Sequence, residues 1–278
     1  MRGIFRIADV SRIRKGNNIK ARKKIPCFFL FAFKSVVKKY SLWYYVFMKI
    51  FAISDLHIST NTDKPMDVFG GNWVGYMEKI FADWESKVND GDAVLIGGDI
   101  SWAMTLDDAR KDIQTLAGLK GIKVLVKGNH DYWWSAISKV RDALPENFYA
   151  LQNDSITLGN AVICGSRCWS VPGAPDFKEH DMKIYLRETE RLKLSLKDAC
   201  RTKKEGDKLI ALIHYPPFNA RRESSLFTDI FEEYGVDSVV YGHLHGKNVR
   251  ADKLVVKNGI KYYLTSCDQV DNKLTEIL

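Results

Sequence analysis

Five of the six histidines in this 278-residue chain share one setting. His57, His130, His214, His243 and His245 each stand at the end of a short apolar run or just after it, with polar or glycine neighbours. The groups read Asp55-Leu56-His57, Gly98-Asp99, Gly128-Asn129-His130-Asp131, His214 alone, and Gly242-His243-Leu244-His245. Imidazole nitrogens, carboxylate oxygens and an amide carbonyl, gathered without thiolates, suit Mn²⁺, Fe or Zn²⁺, with Mg²⁺ a further candidate.

Spacing gives each group a physical reason. Residues two apart in an extended segment point the same way, so Asp55 and His57 can reach one ion together. His243 and His245 can do the same where the backbone bends. Gly98 permits a tight turn before Asp99, whose two oxygens suffice to bridge two cations. Asn129 offers a neutral oxygen ligand.

The elements that must position these groups follow from hydrophobic rhythm. Strands are expected at 49–54, 93–97 and 122–126, and helices at 73–88, 106–116 and 133–144. The first helix carries a stripe of Val74, Met77, Ile80, Phe81 and Trp84. This β-α-β repetition implies a sheet with helices packed on it. After residue 147 the rhythm changes to short strands at 148–151, 156–158 and 161–164. A Pro- and Gly-rich loop at 170–177 leads into a long charged helix at about 179–200. Strands at 209–214 and 238–241 flank a helix near 226–234. A hairpin, 248–256 with 261–266, turns at Asn258-Gly259. The histidine groups therefore sit at strand C-terminal ends, where open α/β sheets place their ligands.

Five motif blocks in this order resemble the calcineurin-like metallophosphoesterase superfamily: DLH (55–57), GGD (97–99), GNHD (128–131), His214 in LIHYPPF, and GHLH (242–245). The resemblance covers about residue 48 to the C-terminus. It implies an α/β fold, a four-layer αββα sandwich of two mixed sheets. It implies one metal held by Asp55, His57, Asp99 and His245, and a second by Asp99, Asn129, His214 and His243. Such a pair clamps the attacking and leaving oxygens of a phosphate ester. His130 would be the general acid, with Asp131 orienting its imidazole. The implied activity is hydrolysis of a phosphomonoester or phosphodiester by water activated between two divalent cations, Mn²⁺ foremost. Ile100-Ser101-Trp102 after Asp99 departs from the protein Ser/Thr phosphatase branch, and His130 departs from the lipid A-pathway branch, which carries Arg there. The GDISW run and the CWSVPG loop look similar to a group of bacterial predicted phosphohydrolases.

Plainer readings stand beside these. Any one of the histidines alone would more often be a satisfied core or surface residue; their joint placement argues for ligation. His180 has no partner at metal spacing. Asp131 also suits a helix N-cap. Trp102, Trp133 and Trp134 read as packing, although one could wall a pocket. Arg167 suits a phosphate or a surface ion pair equally. Arg221-Arg222 reads as a solvated pair within reach of substrate. The 170–200 insertion is expected to cover part of the metal cleft and set substrate size.

Composition bounds the rest. At 46% hydrophobic and 27% charged, the chain reads as an ordinary globular protein. Its formal charge of +8 is concentrated in residues 1–47, which carry twelve Lys/Arg against Asp9 alone. The remainder, with 30 basic and 33 acidic residues, is slightly acidic. Residues 1–47 are expected to be a basic leader outside the fold, with the functional domain, 48–278, opening at Met48. The acidic body disfavours a nucleic-acid-binding protein or nuclease, and His130 disfavours a catalytically silent metal-binding interaction module. The longest apolar run, Ile25–Phe33, falls short of the roughly 18–20 residues of a membrane span and lacks a small-residue cleavage site. Five scattered cysteines complete no zinc knuckle and suggest reduced thiols in the cytoplasm. A small phosphate ester is the expected partner; the oligomeric state and the native metal stay open.

Overall fold

Alternation within the strands decides how the layers stack. In β1 (Ile50–Ile53), Ile50 and Ala52 face one cluster of buried side chains, and Phe51 and Ile53 face another. Both faces are covered, so the strand is apolar throughout. The computed structural model describes residues 48–60, 64 and 66–278. The expected basic leader lies outside the described residues.

A first sheet holds β1, β2 (Ala93–Ile96), β3 (Ile122–Leu125) and β4 (Phe148–Ala150), all parallel. A short β11 (Thr275–Glu276) runs antiparallel to β1 and closes that edge. The second sheet comprises β5 (Ser155–Leu158), β6 (Ala161–Ser166), β7 (Lys208–Ile213), β8 (Ser238–Tyr241), β9 (Leu254–Lys257) and β10 (Ile260–Leu264). Its order is β5-β6-β7-β8-β10-β9, parallel from β6 through β10, with antiparallel strands at both edges.

The two sheets meet through Ile50, Ala52, Leu95 and Val124 on one side and Ile163, Ile210, Leu212 and Val240 on the other. Fully burying each of the larger aliphatics contributes roughly 1.5–3 kcal/mol. Helices α1 (Tyr76–Lys87), α2 (Leu106–Ala117) and α3 (Ile137–Ala143) cover the outer face of the first sheet. Helices α4 (Asp181–Thr202) and α5 (Leu226–Glu233) cover that of the second. The result is the expected four-layer αββα sandwich. Among the described residues no helix is long and apolar enough to cross a membrane.

Local chemistry explains several boundaries. Thr105 caps α2 by accepting the Asp108 N–H, and Ser225 and Thr228 form a capping box on α5. Asn258 and Gly259 both have positive φ, 50° and 82°, which suits the two-residue turn joining β9 to β10. Two helices are shorter than expected. Gly71–Trp73 is a separate 3-10 turn, and left-handed Gly75 breaks the chain before α1. The segment from Asp131 to Ala136 is irregular, and α3 starts only at Ile137.

Candidate metal centre

Every motif group leaves the C-terminal end of a parallel strand, and those ends converge where the two sheets meet. Asp55 and His57 follow β1, Asp99 follows β2, Asn129 to Asp131 follow β3, His214 follows β7, and His243 and His245 follow β8. Backbone bonds stitch the loops together. Ser54 donates to the Thr265 carbonyl at 2.8 Å, Asp55 to Gly98 at 3.0 Å, His57 to Asp99 at 2.9 Å, and Gly242 to His214 at 3.0 Å. Asp55, His57, Asp99 and His243 all adopt positive φ, between 46° and 70°. Such conformations cost roughly 1–3 kcal/mol each and persist only where the surroundings over-determine them. Gly98, at φ 87°, packs so closely on Gly128 and His214 that a β-carbon would lie 2.7 Å from the Gly128 nitrogen.

The candidate ligand atoms fall into two groups with the Asp99 carboxylate between them. Asp55, His57, Asp99 and His245 each offer an atom within 4.8 Å of the others. Beside them, Asn129 Oδ1 lies 2.7 Å from His214 Nε2 and 2.9 Å from His243 Nδ1. Asp99 Oδ2 lies between, 3.8 Å from His57 Nε2 and 3.6 Å from His214 Nε2. All seven positions picked out from the sequence are thus brought together.

Their electrostatics fit cations. His57 Nδ1 and Nε2 and Asp99 Oδ2 are buried without a hydrogen-bond partner, an arrangement that is costly for a bare protein. His214 Nδ1 faces the Gly97 carbonyl at 2.8 Å, so that nitrogen carries the proton. Burial pushes the His214 pKa down to about 3, so the ring is neutral and its Nε2 lone pair faces the Asn129 oxygen. Two acceptors 2.7 Å apart repel each other, and a cation relieves that contact. Burial likewise pushes His243 down to about 3 and His57 and His245 below the usual imidazole value. It raises Asp99 to about 6, and burial with the Asp99 charge raises Asp55. Neutral imidazoles beside buried carboxyl groups are donors of the kind that suits a divalent cation.

His130 stands at one end of this cluster. Its ring is 5.6 Å from His57, 4.6 Å from Trp102 and 6.1 Å from Tyr132, centroid to centroid. The His130 backbone N–H donates to Asp99 Oδ1 at 2.7 Å, and the ring Nδ1 is buried without a partner. Burial lowers its pKa, while the Asp99 charge opposes that.

The expectation that Asp131 orients His130 is corrected by its hydrogen bonds. The Asp131 carboxylate accepts from the N–H groups of Asp99, Ile100, Ser101 and Gly128, at 2.8–3.2 Å, and from the Trp133 indole at 3.0 Å. Five donors saturate it, and none comes from His130. Asp131 is a brace that fixes the Asp99 loop against the loop after β3.

Trp102, read from sequence as packing or a pocket wall, stacks on His57, 4.7 Å away at 20°. Sequence reasoning missed several other neighbours. Trp73 lies 6.1 Å from both His57 and His245. Tyr215 lies 4.2 Å from His243. Asp268 accepts the Gly246 N–H at 2.7 Å and opposes the fall in the His245 pKa. Its only signal was an acid near the C-terminus. Trp133 and Trp134 are buried packing residues, as expected. Arg167 stacks over Trp169 and reaches buried Glu188 at 3.7 Å, while its Nε is buried without a partner among the described residues. His180 is exposed beside Asp181 and stands outside the cluster. Cys164 and Cys168 are buried free thiols.

The family model for calcineurin-like phosphoesterases matches residues 48–247, a span that includes every motif group. Among solved structures, TT1561 of Thermus thermophilus superposes with a TM-score of 0.52 at 13% identity, covering 83% of this chain and 98% of its own. AQ665, a protein of unknown function from Aquifex aeolicus, gives 0.46 at 15% identity, covering 83% and 96%. Vacuolar protein sorting 29 from Cryptosporidium parvum gives 0.36 at 14%, covering 78% and 72%. At such identity the Thermus structure speaks to the fold alone. No curated protein matches the chain. A family match over most of the chain, joined to the two-sheet fold, makes the chain a member of the calcineurin-like phosphoesterase family.

Proposed function

We propose that residues 48–278 form a two-metal hydrolase of phosphate esters. The observation that carries this reading is the position of Asp99. Its unpartnered Oδ2 lies 3.8 and 3.6 Å from a histidine of each ligand group, as a bridging carboxylate must. Asp55, His57, Asp99 and His245 would hold one ion, and Asp99, Asn129, His214 and His243 the other. Mn²⁺ is the foremost candidate, with Fe, Zn²⁺ or Mg²⁺ as alternatives. When bound, such a pair supplies Lewis acidity, which activates water near neutral pH and offsets the charge of the phosphate.

The chain's own residues do the remainder. His130 donates a proton to the leaving oxygen, and its Nδ1 has no partner among the described residues. Trp102 and Tyr132 flank that imidazole and limit its access to water. Asp131 acts one step back by holding the Asp99 loop. The substrate is a small phosphate ester, and the four described cysteines, all free, support a reducing cytoplasmic location.

The test is hydrolysis of bis-p-nitrophenyl phosphate and p-nitrophenyl phosphate by metal-stripped protein given back Mn²⁺. Turnover that requires Mn²⁺ and is lost in Asp99→Asn and His130→Ala supports the reading. Two bound metals with no turnover of either ester would point to the silent scaffold instead.

A further inference from the structure

A cleft of about 610 Å³ has His243 and Tyr215 in its wall. That volume lies in the range of roughly 300–1,000 Å³ typical of small-molecule pockets. One wall is the Ser170–Asp176 loop, and another is the Asn248–Asp252 segment. Val171, Ala174, Pro216, Phe218, Val249 and Ala251 make it largely apolar. Polar side chains interrupt that lining, Asp176, Arg222, Arg250 and Asp252 among them. Tyr241 is 2% exposed, yet its hydroxyl has no hydrogen-bond partner among the described residues. Arg250 is exposed and has no ion-pair partner among them.

The position of the cleft is informative. All its lining residues fall between 170 and 255, so none belongs to the segments carrying His57, Asp99 or His130. His130 stands instead against Trp102, Tyr132 and His57. A leaving oxygen protonated by His130 therefore departs from the other end of the site. Whatever fills the cleft at the His243 end stays attached to phosphorus.

We infer that this cleft binds the retained ester group, so that the substrate is a phosphodiester whose retained group is bulky and largely apolar. The inference rests on the hydrolase reading above and narrows it. Diester and water give a monoester that keeps the cleft-bound group, and an alcohol that carries the leaving oxygen. A P–O bond forms to the water oxygen, and the P–O bond to the leaving oxygen breaks. His130 gives its proton to that oxygen and is reprotonated from solvent, which takes the proton released by the attacking water.

The test uses two diesters with the same leaving group, p-nitrophenyl phenyl phosphate and p-nitrophenyl methyl phosphate, on the full chain with Mn²⁺. The phenyl ester is expected to have a kcat/KM about ten-fold or more above the methyl ester, the worth of burying one ring. Ala251→Trp or Val249→Trp, each filling the cleft, is expected to remove that preference, lowering kcat/KM about five-fold or more further for the phenyl ester than for the methyl ester. Equal loss on both esters would place the leaving group in the cleft and overturn the inference, as would no loss on either. Turnover of p-nitrophenyl phosphate but of neither diester also overturns it, while sparing the hydrolase reading. Should no p-nitrophenyl ester react, the hydrolase reading fails. Calorimetric titration with diphenyl phosphate then judges the cleft alone: binding lost in both variants supports it, and binding absent or unchanged overturns it.

Discussion

The Asp131 carboxylate receives the backbone N–H of Asp99 at 2.9 Å, so the acid next to His130 in sequence serves the metal loop in space. Four further donors share the same two oxygens. In Asp131→Asn one oxygen becomes an NH₂ that faces N–H groups instead of accepting from them. The expected cost is about 2–4 kcal/mol, since several buried donors lose their acceptor. Metal affinity should fall with it, because Asp99 loses its brace. Thermal unfolding and metal titration check this. A variant with normal stability and metal affinity but a low kcat would return Asp131 to the role of orienting His130.

Close packing behind the bridge gives a second expectation. A β-carbon on Gly128 would collide with the Asp99 carboxylate and backbone nitrogen, neither of which has room to retreat. Gly128→Ala should therefore displace Asp99 and lower the bound metal from two ions per chain to one or none. Elemental analysis after dialysis reads this directly. Two tightly held ions in the variant would show that Asp99 does not bridge.

The ligand positions were legible because each follows an apolar strand, and strand ends meet at one edge of such a sheet. What escaped was contact between segments far apart in sequence. Asp131 looks like a helix cap, yet α3 begins only at Ile137, because the turn before it bends Trp133 back to give its indole N–H to Asp131. Strand β11 is two residues long and too short to show a period; only its pairing with Phe51 and Ala52 defines it. Asp268 reaches the site through a loop with no motif of its own. The 170–200 insertion reads as a cover that sets substrate size; of it, residues between Ser170 and Asp176 line a cleft, but the apolar far wall is not locatable from sequence.

Metal removal should show in stability as well as in activity. Unpartnered atoms of His57 and Asp99 are left buried in the bare chain. An ion held at 100 times its Kd contributes about 2.7 kcal/mol per site. For a domain of this size, Mn²⁺ should raise the Tm of stripped protein by roughly 10–20 °C for the pair. His214→Ala should keep about half of that rise, because it removes one ligand group and spares the other. An unchanged Tm on adding Mn²⁺ to wild type would argue against the ligand sets assigned here.

Lys123 offers a pH test away from the metal centre. It lies in β3, fully buried, with Trp84 and Phe148 rings 5.9 and 5.4 Å from its ammonium and the Leu119 carbonyl as its hydrogen-bond acceptor. Burial lowers its pKa from 10.5 to about 8. Between those values the unfolded chain holds the proton and the folded chain has released it. Unfolding therefore takes up a proton there, and stability rises with pH across that window. Below about pH 8 both states are charged, and the buried ammonium carries its full cost, on the order of 2–3 kcal/mol. Lys123→Met removes the charge at similar length. It should be at least as stable as wild type at pH 7, and the difference should shrink as pH approaches 9.5. Urea unfolding of both proteins at pH 7, 8.5 and 9.5 measures this, and the subtraction cancels groups common to the two. A constant difference across that range would mean that Lys123 keeps its proton in the fold, with the Leu119 carbonyl and the two rings compensating its charge.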